Sequence, residues 1–283
     1  MNAPATILPD VVSALLGQLE ARMVEGVLSL NGPTDLHPLS TSALRGLLGH
    51  ALKDAGDAEA LRLFKPPASG APPFVIQPQS FRTAKADFFS FRIFAWDPDS
   101  ILLDAFASAA AAQVAGRPFG QGRIRVEGIR LSAPERLVFS GIDHDGGPIR
   151  LRLATPLCLK AYDRSDLERP RKRLLQPENL TLRHLLDATH RRISNLTAHP
   201  VDPLRLDPET LPEPTSRSLR IEGTARKSST QRNRVSLQGI TGHLDFSELC
   251  PLHAELLSLA SVFHLGHHPV EGCGLLLLEP PAK

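Results

Sequence analysis

The strongest constraint on the fold is an order of elements that occurs twice in the chain. A helical segment, a glycine-containing loop and a strand follow one another at residues 101–131, and the same order returns at 251–279. The loop spans 116–122 in the first copy and 266–274 in the second. A supersecondary unit that recurs within one chain predicts two similar domains.

The segments before each copy complete a common plan. Hydrophobic periodicity and turn residues predict a strand, a helix and two strands in each half of the chain. In the first half these are a strand at 24–30, a helix at 42–55 that ends at Gly56, and strands at 74–79 and 88–96. In the second half they are a strand at 149–153, a helix at 182–196, and strands at 219–225 and 235–246.

Two βαββαβ units predict an α+β protein with two tandem ferredoxin-like (RRM-like) domains. We expect an N-terminal domain at 1–140 and a C-terminal domain at 141–283, joined by the turn-rich segment 132–148. A hydrophobic content of 42% is ordinary for globular proteins and can build a core in each domain. The aromatic side chains expected in the first core are Phe88, Phe89, Phe91, Phe94 and Trp96.

The basic residues are clustered although the net charge is only +2. Between Arg217 and Arg234 there are six bases and one acid, and smaller clusters lie at 169–173 and 191–192. Such clusters are often solvated surface. Three of them in one half of the chain favour a polyanionic partner whose phosphates they would neutralise.

Several classes of site and location are not expected. The three cysteines lack CxxC or CxxH spacing, and His267 and His268 have no third ligand at a suitable spacing. We therefore predict no metal, no cofactor and no disulfide framework. No apolar run approaches 18 residues, and the N-terminus lacks a basic region followed by an apolar core. A cytoplasmic protein without a membrane partner is expected.

The last sixty residues carry motifs in a distinctive order. A basic segment with a Ser-Arg-Gln-like core precedes a Gly-x-x-Gly strand, an apolar helix and a loop that ends in Gly-x-Gly. The residues of these motifs are Ser229, Gln231 and Arg232, then Gly239 and Gly242, then Gly266, Gly272 and Gly274. This order resembles the C-terminal domain of the CRISPR-associated Cas6 endoribonucleases of the RAMP superfamily. Position 230 is Thr, where the family pattern has a base.

The resemblance extends over most of the chain. Residues 154–160 resemble the family's Thr-Pro strand, and the helix with Arg191 and Arg192 resembles its Arg-Arg helix. In the first half, residues 42–49 resemble the superfamily's Leu-Arg-Gly helix, and the glycine loop at 116–122 also matches. The most specific motifs lie after residue 150.

The resemblance implies a metal-independent endoribonuclease. Its substrate would be precursor crRNA, cut at a CRISPR repeat that is often a hairpin. The 2′-hydroxyl would attack the phosphate and leave 2′,3′-cyclic phosphate and 5′-hydroxyl ends. The enzyme would pass its product to other subunits of a CRISPR effector complex. The alternative is a non-catalytic RAMP subunit that binds crRNA, and a third hypothesis is a metal-dependent nuclease or phosphatase, which would need clustered carboxylates.

The predicted catalytic residues lie on or near the first helix, where the family commonly places a histidine. His50 and Lys53 are neighbours at i and i+3 on the helix face opposite its apolar stripe. Histidine suits proton transfer because its usual pKa is about 6.5. Gly46 and Gly49 are expected to let another backbone approach this face. His37, in the loop before the helix, is the rival candidate, and ordinary solvation of either histidine is the competing interpretation.

The predicted RNA-binding residues are the basic clusters, the glycine loop and the arginine of the Leu-Arg-Gly helix. They are Arg45, Arg169, Arg171, Lys172, Arg173, Arg191, Arg192, Arg226, Lys227, Gln231, Arg232, Arg234, Gly266, Gly272 and Gly274. Residues 226–234 are expected to belong to a β-hairpin that follows A-form phosphates. Aromatic residues make up only 5% of the chain, so base stacking is expected to contribute little.

Overall fold

The structure is a computed structural model of the 283-residue chain. It describes the ranges 21–37, 40–64, 72–80, 84–96, 101–119, 124–137, 144–163, 171–197, 211–227 and 234–281. The chain divides into two compact units. Unit 1 comprises 1–140, 195–199 and 270–272, and unit 2 comprises the remainder.

The described residues of unit 1 form a sheet and three helices. These elements are β1 (Ala21–Leu36), α1 (Thr41–Ala55), α2 (Ala58–Phe64), β2 (Phe74–Pro78), β3 (Ala84–Ala95), α3 (Ile101–Gln113), β4 (Val126–Leu131) and β5 (Glu135–Leu137). The antiparallel strands lie in the order β2-β3-β1-β4, and β5 also pairs with β1.

The described residues of unit 2 repeat this plan. Its elements are β6 (Ile149–Leu157), β7 (Lys160–Asp163), β8 (Arg171–Leu174), α4 (Leu182–Thr197), β9 (Ser216–Lys227), β10 (Arg234–Phe246), α5 (Pro251–Ser258), α6 (Ala260–Phe263) and β11 (Leu276–Glu279). The main antiparallel sheet has the order β11-β6-β10-β9. In both units the fourth strand of the βαββαβ plan lies beside the first. The predicted tandem ferredoxin-like α+β fold is therefore confirmed.

Helix α1 forms because its apolar residues recur at helical spacing. Leu44, Leu47, Leu48, Ala51 and Leu52 are all buried in the core of unit 1. The helix ends at Gly56, whose φ of 75° is left-handed and whose N–H donates to the carbonyl of Lys53. The predicted helix at 42–55 is confirmed to within one residue.

Short elements were missed by the sequence prediction. Helix α2 begins after Asp57, whose carboxylate accepts a hydrogen bond from the N–H of Ala60 at 2.9 Å. Strand β5 lies inside the segment 132–148 that was predicted to be a connection. The β7–β8 hairpin was also missed, and each of its strands has only four residues. Such lengths are too short for hydrophobic periodicity to identify.

The core of unit 1 contains a cluster of three fully buried aromatic rings. Phe64 stacks on Phe74 with ring centroids 5.4 Å apart, and Phe106 meets both edge-on at 5.9 Å. The three side chains come from α2, β2 and α3, so the cluster joins elements distant in sequence. Of the five aromatic side chains predicted to be core in β3 and just after it, four are buried. Phe88 is 54% exposed, which corrects that prediction.

We predict that Phe106→Ala will lower the free energy of unfolding by about 3–5 kcal/mol, because it removes a large buried ring and leaves a cavity. Urea unfolding followed by circular dichroism measures this loss. Phe88→Ala is the matched control and should cost less than about 1 kcal/mol, because most of that ring is already in water. Equal losses in the two variants would contradict this description of the core.

Candidate active site and nucleic-acid interface

The exposed face of α1 carries the two residues predicted to be catalytic. His50 and Lys53 are both exposed, whereas Ala51 and Leu52 between them are buried. One turn of helix separates the two polar side chains, so both face the same solvent region. A nucleic acid can therefore approach the imidazole and the ammonium group together.

An acid and a further cation complete this surface. Asp54, at position i+4 from His50, forms an ion pair with Arg117. The Arg117 hydrogen bond holds the pKa of Asp54 below its usual value, and the charges of His50 and Lys53 act in the same direction. The surface thus combines His50, Lys53 and Arg117 around a single ionised carboxylate. We call these four residues the α1 cluster.

The glycine loop of unit 1 positions Arg117. Gly116 has a φ of 76°, and its N–H donates to the carbonyl of Val126 at 2.7 Å. The N–H of Val126 in turn donates to the carbonyl of Arg117 at 2.8 Å. The loop is therefore anchored to the start of β4, and it delivers the guanidinium to α1. Sequence analysis identified this loop but missed its arginine, because the partner of Arg117 lies 63 residues earlier.

The two glycines of α1 have different surroundings. A Cβ at Gly46 would meet nothing within 4 Å, so this position is open as predicted. A Cβ at Gly49 would lie 2.5 Å from the ring of Phe64. Gly49 thus lets α2 pack against α1, and the prediction that it opens the polar face to another backbone is wrong.

The first turn of α1 contacts residues 270–272, which are part of unit 1. The hydroxyl of Thr41 donates a buried hydrogen bond of 2.6 Å to the carbonyl of Glu271. Gly272 has a φ of 83°, and a Cβ there would lie 2.3 Å from the Thr41 hydroxyl oxygen. Only glycine fits this contact. Gly272, one of the glycines predicted to bind RNA, therefore has a structural role at the start of α1.

Arg45 also faces residues 270–272. Its Nη1 lies 3.9 Å from Oε1 of the buried Glu271, and its guanidinium carbon lies 4.9 Å from the ring centroid of Phe64. The side chain is thus held by an ion pair and a cation–π contact within unit 1. RNA binding by Arg45 stays a prediction.

His37 lies apart from the α1 cluster in the described contacts. Its backbone N–H donates to the Ser40 hydroxyl at 3.1 Å, and its carbonyl accepts from the Ser40 N–H at 2.7 Å. This turn leads the chain from β1 into α1. His37 lines a separate pocket of unit 1 together with residues of β3.

The basic arm of unit 2 is a β-hairpin, as predicted. Strands β9 and β10 pair over twelve positions, and the register places Lys227 opposite Arg234 and Arg226 opposite Val235. The hairpin therefore brings Arg226, Lys227 and Arg234 together at its far end. Gln231 and Arg232 lie outside the described residues.

The second basic cluster is associated with a smaller hairpin. Arg171 and Lys172 lie in β8, opposite Asp163 and Tyr162 of β7, and Arg173 is exposed beside them. Arg169 lies outside the described residues. The structure thus places Arg171, Lys172 and Arg173 in a strand, whereas the sequence analysis assigned no element to this segment.

Arg191 and Arg192 occupy opposite environments on α4. Arg191 is exposed, whereas Arg192 is only 7% exposed. The Nε of Arg192 donates to the carbonyl of Phe263 at 3.0 Å, and burial lowers its pKa to about 10. The prediction that Arg192 contacts RNA is corrected, because its guanidinium lies inside unit 2. Arg191 remains a candidate.

The glycine loop that precedes β11 is held by a buried histidine. The imidazole N–H of His264 donates to the carbonyl of Cys273 at 3.1 Å. Burial lowers the pKa of His264 to about 3, so the ring is neutral at physiological pH. Gly274 extends this arrangement, since its N–H donates to the carbonyl of Pro156 at 3.0 Å. RNA binding by Gly266, Gly272 and Gly274 stays a prediction.

Two features are absent from the described residues. No group of three or more His, Cys, Asp or Glu side chains is arranged to hold a metal ion. No helix in the described ranges is both long enough and apolar enough to cross a membrane.

Comparison with solved structures identifies the fold. The product complex of the Cas6 protein TTHB231 matches with a TM-score of 0.56 and 20% identity, over 92% of this chain and 100% of that chain. A RAMP protein that binds different RNA substrates matches with a TM-score of 0.53 and 12% identity, over 92% and 99%. The chain has the fold of the Cas6 proteins.

The Cas6 fold also occurs as part of a longer chain. A partial Cas6-RT-Cas1–Cas2 complex matches with a TM-score of 0.60 and 12% identity, over 93% of this chain and 46% of that chain. No family profile and no curated protein sequence matches the chain. Within this Cas6 fold, unit 1 carries the α1 cluster and unit 2 carries the β9–β10 hairpin.

We predict that Arg191→Ala and Arg192→Ala will differ in stability. Loss of Arg192 leaves the buried carbonyl of Phe263 without this donor and should cost about 1–3 kcal/mol. Loss of the exposed Arg191 should change the free energy of unfolding by less than about 0.5 kcal/mol. Urea unfolding at pH 7 measures both. A neutral Arg192→Ala variant would contradict the buried hydrogen bond.

We predict that His264 makes the protein less stable in acid. The unfolded chain binds a proton at His264 below about pH 6.5, whereas the folded chain does so only near pH 3. Stability from this residue is therefore complete above pH 6.5 and is lost as the pH falls towards 3. From pH 7 to pH 5 the free energy of unfolding of wild type should therefore fall by about 2 kcal/mol more than that of His264→Asn, which lacks the titrating group. A difference independent of pH, measured by urea unfolding, would refute this.

Proposed function

We propose that this chain is an endoribonuclease that binds CRISPR repeat RNA and cleaves precursor crRNA. The observation that carries the proposal is that His50 and Lys53 share the exposed face of α1 in a chain with the Cas6 fold. The TTHB231 neighbour was solved as a product complex, and the RAMP neighbour binds RNA substrates. These properties of similar proteins support an RNA substrate for this chain.

The proposed reaction requires no metal ion. The 2′-oxygen forms a bond to the adjacent phosphorus, the bond from phosphorus to the 5′-oxygen breaks, and the products are a 2′,3′-cyclic phosphate and a 5′-hydroxyl. The 2′-hydroxyl loses one proton and the leaving 5′-oxygen gains one. His50 is the group on α1 suited to such a transfer near neutral pH.

Positive charge beside the histidine would stabilise the transition state. Lys53 is one helical turn away, and Arg117 is held near by its ion pair with Asp54. A phosphorane carries more negative charge than the substrate phosphate, so fixed cations favour it selectively. Asp54 restrains Arg117 and leaves the α1 cluster with net positive charge.

The RNA would be held mainly through its phosphates. The register places Arg226, Lys227 and Arg234 at the same end of the paired strands β9 and β10, and Arg191 is exposed on α4. Basic side chains on a two-stranded ribbon can follow the backbone of an A-form stem without reading its bases. Gln231 and Arg232 of the same arm complete the proposed contact set. Subunits of a CRISPR effector complex are the proposed recipients of the product.

We predict that His50→Ala will abolish cleavage without abolishing binding. The purified chain is incubated with the labelled CRISPR repeat RNA of its own genome in EDTA. Loss of proton transfer should slow single-turnover cleavage about 10²- to 10⁴-fold, with the dissociation constant for RNA nearly unchanged. Lys53→Ala should slow single-turnover cleavage about 10- to 100-fold. The matched control is Arg62→Ala, which removes another exposed basic side chain, on α2.

Three results would decide between the hypotheses. Cleavage in EDTA that is blocked by a 2′-deoxy nucleotide at the cut site supports the proposal. Cleavage that requires a divalent ion would instead favour the metal-dependent class. Tight binding without any cut would favour the alternative, a non-catalytic RAMP subunit that binds crRNA. If His37→Ala rather than His50→Ala stops cleavage, the catalytic assignment moves to the loop before α1.

A further inference from the structure

Unit 1 contains a pocket that the proposed reaction does not use. Its volume is about 310 Å³. It lies where β1 ends, β3 begins and the chain leaves β2. Its lining includes His37, Gln79, Ser80, Phe88, Phe89 and Ser90. This volume is at the lower end of the range for small-molecule sites, so the pocket suits a single small ring system rather than a helical segment.

The wall of the pocket contains an aromatic ring in an unusual position. Phe88 is 54% exposed, whereas Phe89 and Phe91 on the same strand are 4% and 0% exposed. Phe89 packs against Phe91 and Phe119 in the core, with ring centroids 6.2 Å and 6.3 Å apart. The core therefore holds the strand firmly while it leaves Phe88 at the surface. An exposed aromatic ring on a rigid strand is a platform for a flat ligand.

The rest of the lining offers hydrogen bonds without formal charge. Gln79 and Ser80 are exposed, Ser90 is half-buried, and none of the described lining residues is Asp, Glu, Lys or Arg. The amide nitrogen of Gln79 donates to Glu25 Oε1 at 3.4 Å, a long hydrogen bond that a ligand can replace. Amide, hydroxyl and imidazole groups complement a neutral polar edge. A phosphate would find no fixed cation among them.

We propose that this pocket binds one unstacked nucleobase of the RNA, with Phe88 stacking on its face and Gln79 and Ser90 hydrogen-bonding to its edge. A nucleobase is the ligand that combines a flat ring, a neutral polar edge and this size. The inference rests on the proposed binding of repeat RNA, and it adds a base-reading site to phosphate contacts that carry no sequence information. A single-stranded nucleotide next to a stem would be its ligand.

The test is a coupling experiment between the protein and the RNA. The RNA is the repeat oligonucleotide with a 2′-deoxy nucleotide at the cut site, and each unpaired position is made abasic in turn. Dissociation constants are measured by fluorescence anisotropy at one salt concentration for wild type, Phe88→Ala and Phe88→Tyr. The matched control is Ile129→Ala, which truncates a half-buried apolar side chain of β4 in the same unit, outside the pocket lining.

The expected result is one RNA position that depends on Phe88. Removing that base should weaken wild-type binding about 5- to 100-fold, as expected for loss of one stacked base. Phe88→Ala should weaken binding of intact RNA by a similar factor. The Phe88→Ala variant should then bind the RNA that lacks this base about as tightly as it binds intact RNA. Phe88→Tyr should restore the dependence because it keeps the ring, and Ile129→Ala should leave every dissociation constant unchanged.

Two outcomes would overturn the inference. In the first, Phe88→Ala binds every RNA as wild type does, or weakens all of them equally. In the second, Phe88→Ala leaves RNA binding intact but abolishes association with a protein of the effector complex, so that the pocket is a protein-docking site. Failure of the proposed RNA binding is distinct, because wild type would then not bind the repeat RNA at all. Failure of the proposed cleavage alone would leave this test intact, because the test measures binding.

Discussion

The contact between Thr41 and residues 270–272 determines where the helix with His50 lies in unit 1. The Thr41 hydroxyl donates a buried hydrogen bond to the Glu271 carbonyl, which lies 230 residues away in the sequence. Val270 belongs to the same core cluster as the apolar stripe of α1. Because a helix is rigid over fifteen residues, fixing its first turn also fixes His50, roughly 13 Å further along the axis.

The glycines predicted to bind RNA and the residues predicted to be catalytic lie at different places along α1 or away from it. Gly272 contacts Thr41 at the start of α1, whereas His50 and Lys53 lie towards the end of that helix. Gly272 is required by its contact with Thr41, and Gly274 by its φ of 81° and by the Leu265 carbonyl oxygen, which a Cβ would overlap. A glycine motif shared with an RNA-binding family can therefore have a packing origin. The cations near His50 come instead from α1 itself and from the other glycine loop, through Arg117.

Electrostatics explains why the α1 cluster can tolerate three basic groups. Lys53 and Arg117 would repel each other and a protonated His50, and such repulsion is unfavourable in a free protein. Asp54 lies among them, and its ionised state is favoured by all three neighbours. The single carboxylate reduces the repulsion and leaves an excess of positive charge. A polyanionic ligand would neutralise that excess positive charge, whereas a neutral substrate would not be attracted by it.

The sequence by itself determined the fold, because helical and strand periodicities recorded both βαββαβ units and the repeat showed that there were two. It also placed His50 and Lys53 on the polar side of α1 and Arg226 and Lys227 on a hairpin. The tertiary structure alone decided that Arg192 is buried while Arg191 is exposed, that Gly49 accommodates Phe64, and that Arg117 meets Asp54. It also decided that Phe88 lies at the surface. Periodicity reports which face of one element is apolar, but the neighbour of a side chain depends on contacts between residues far apart in the chain.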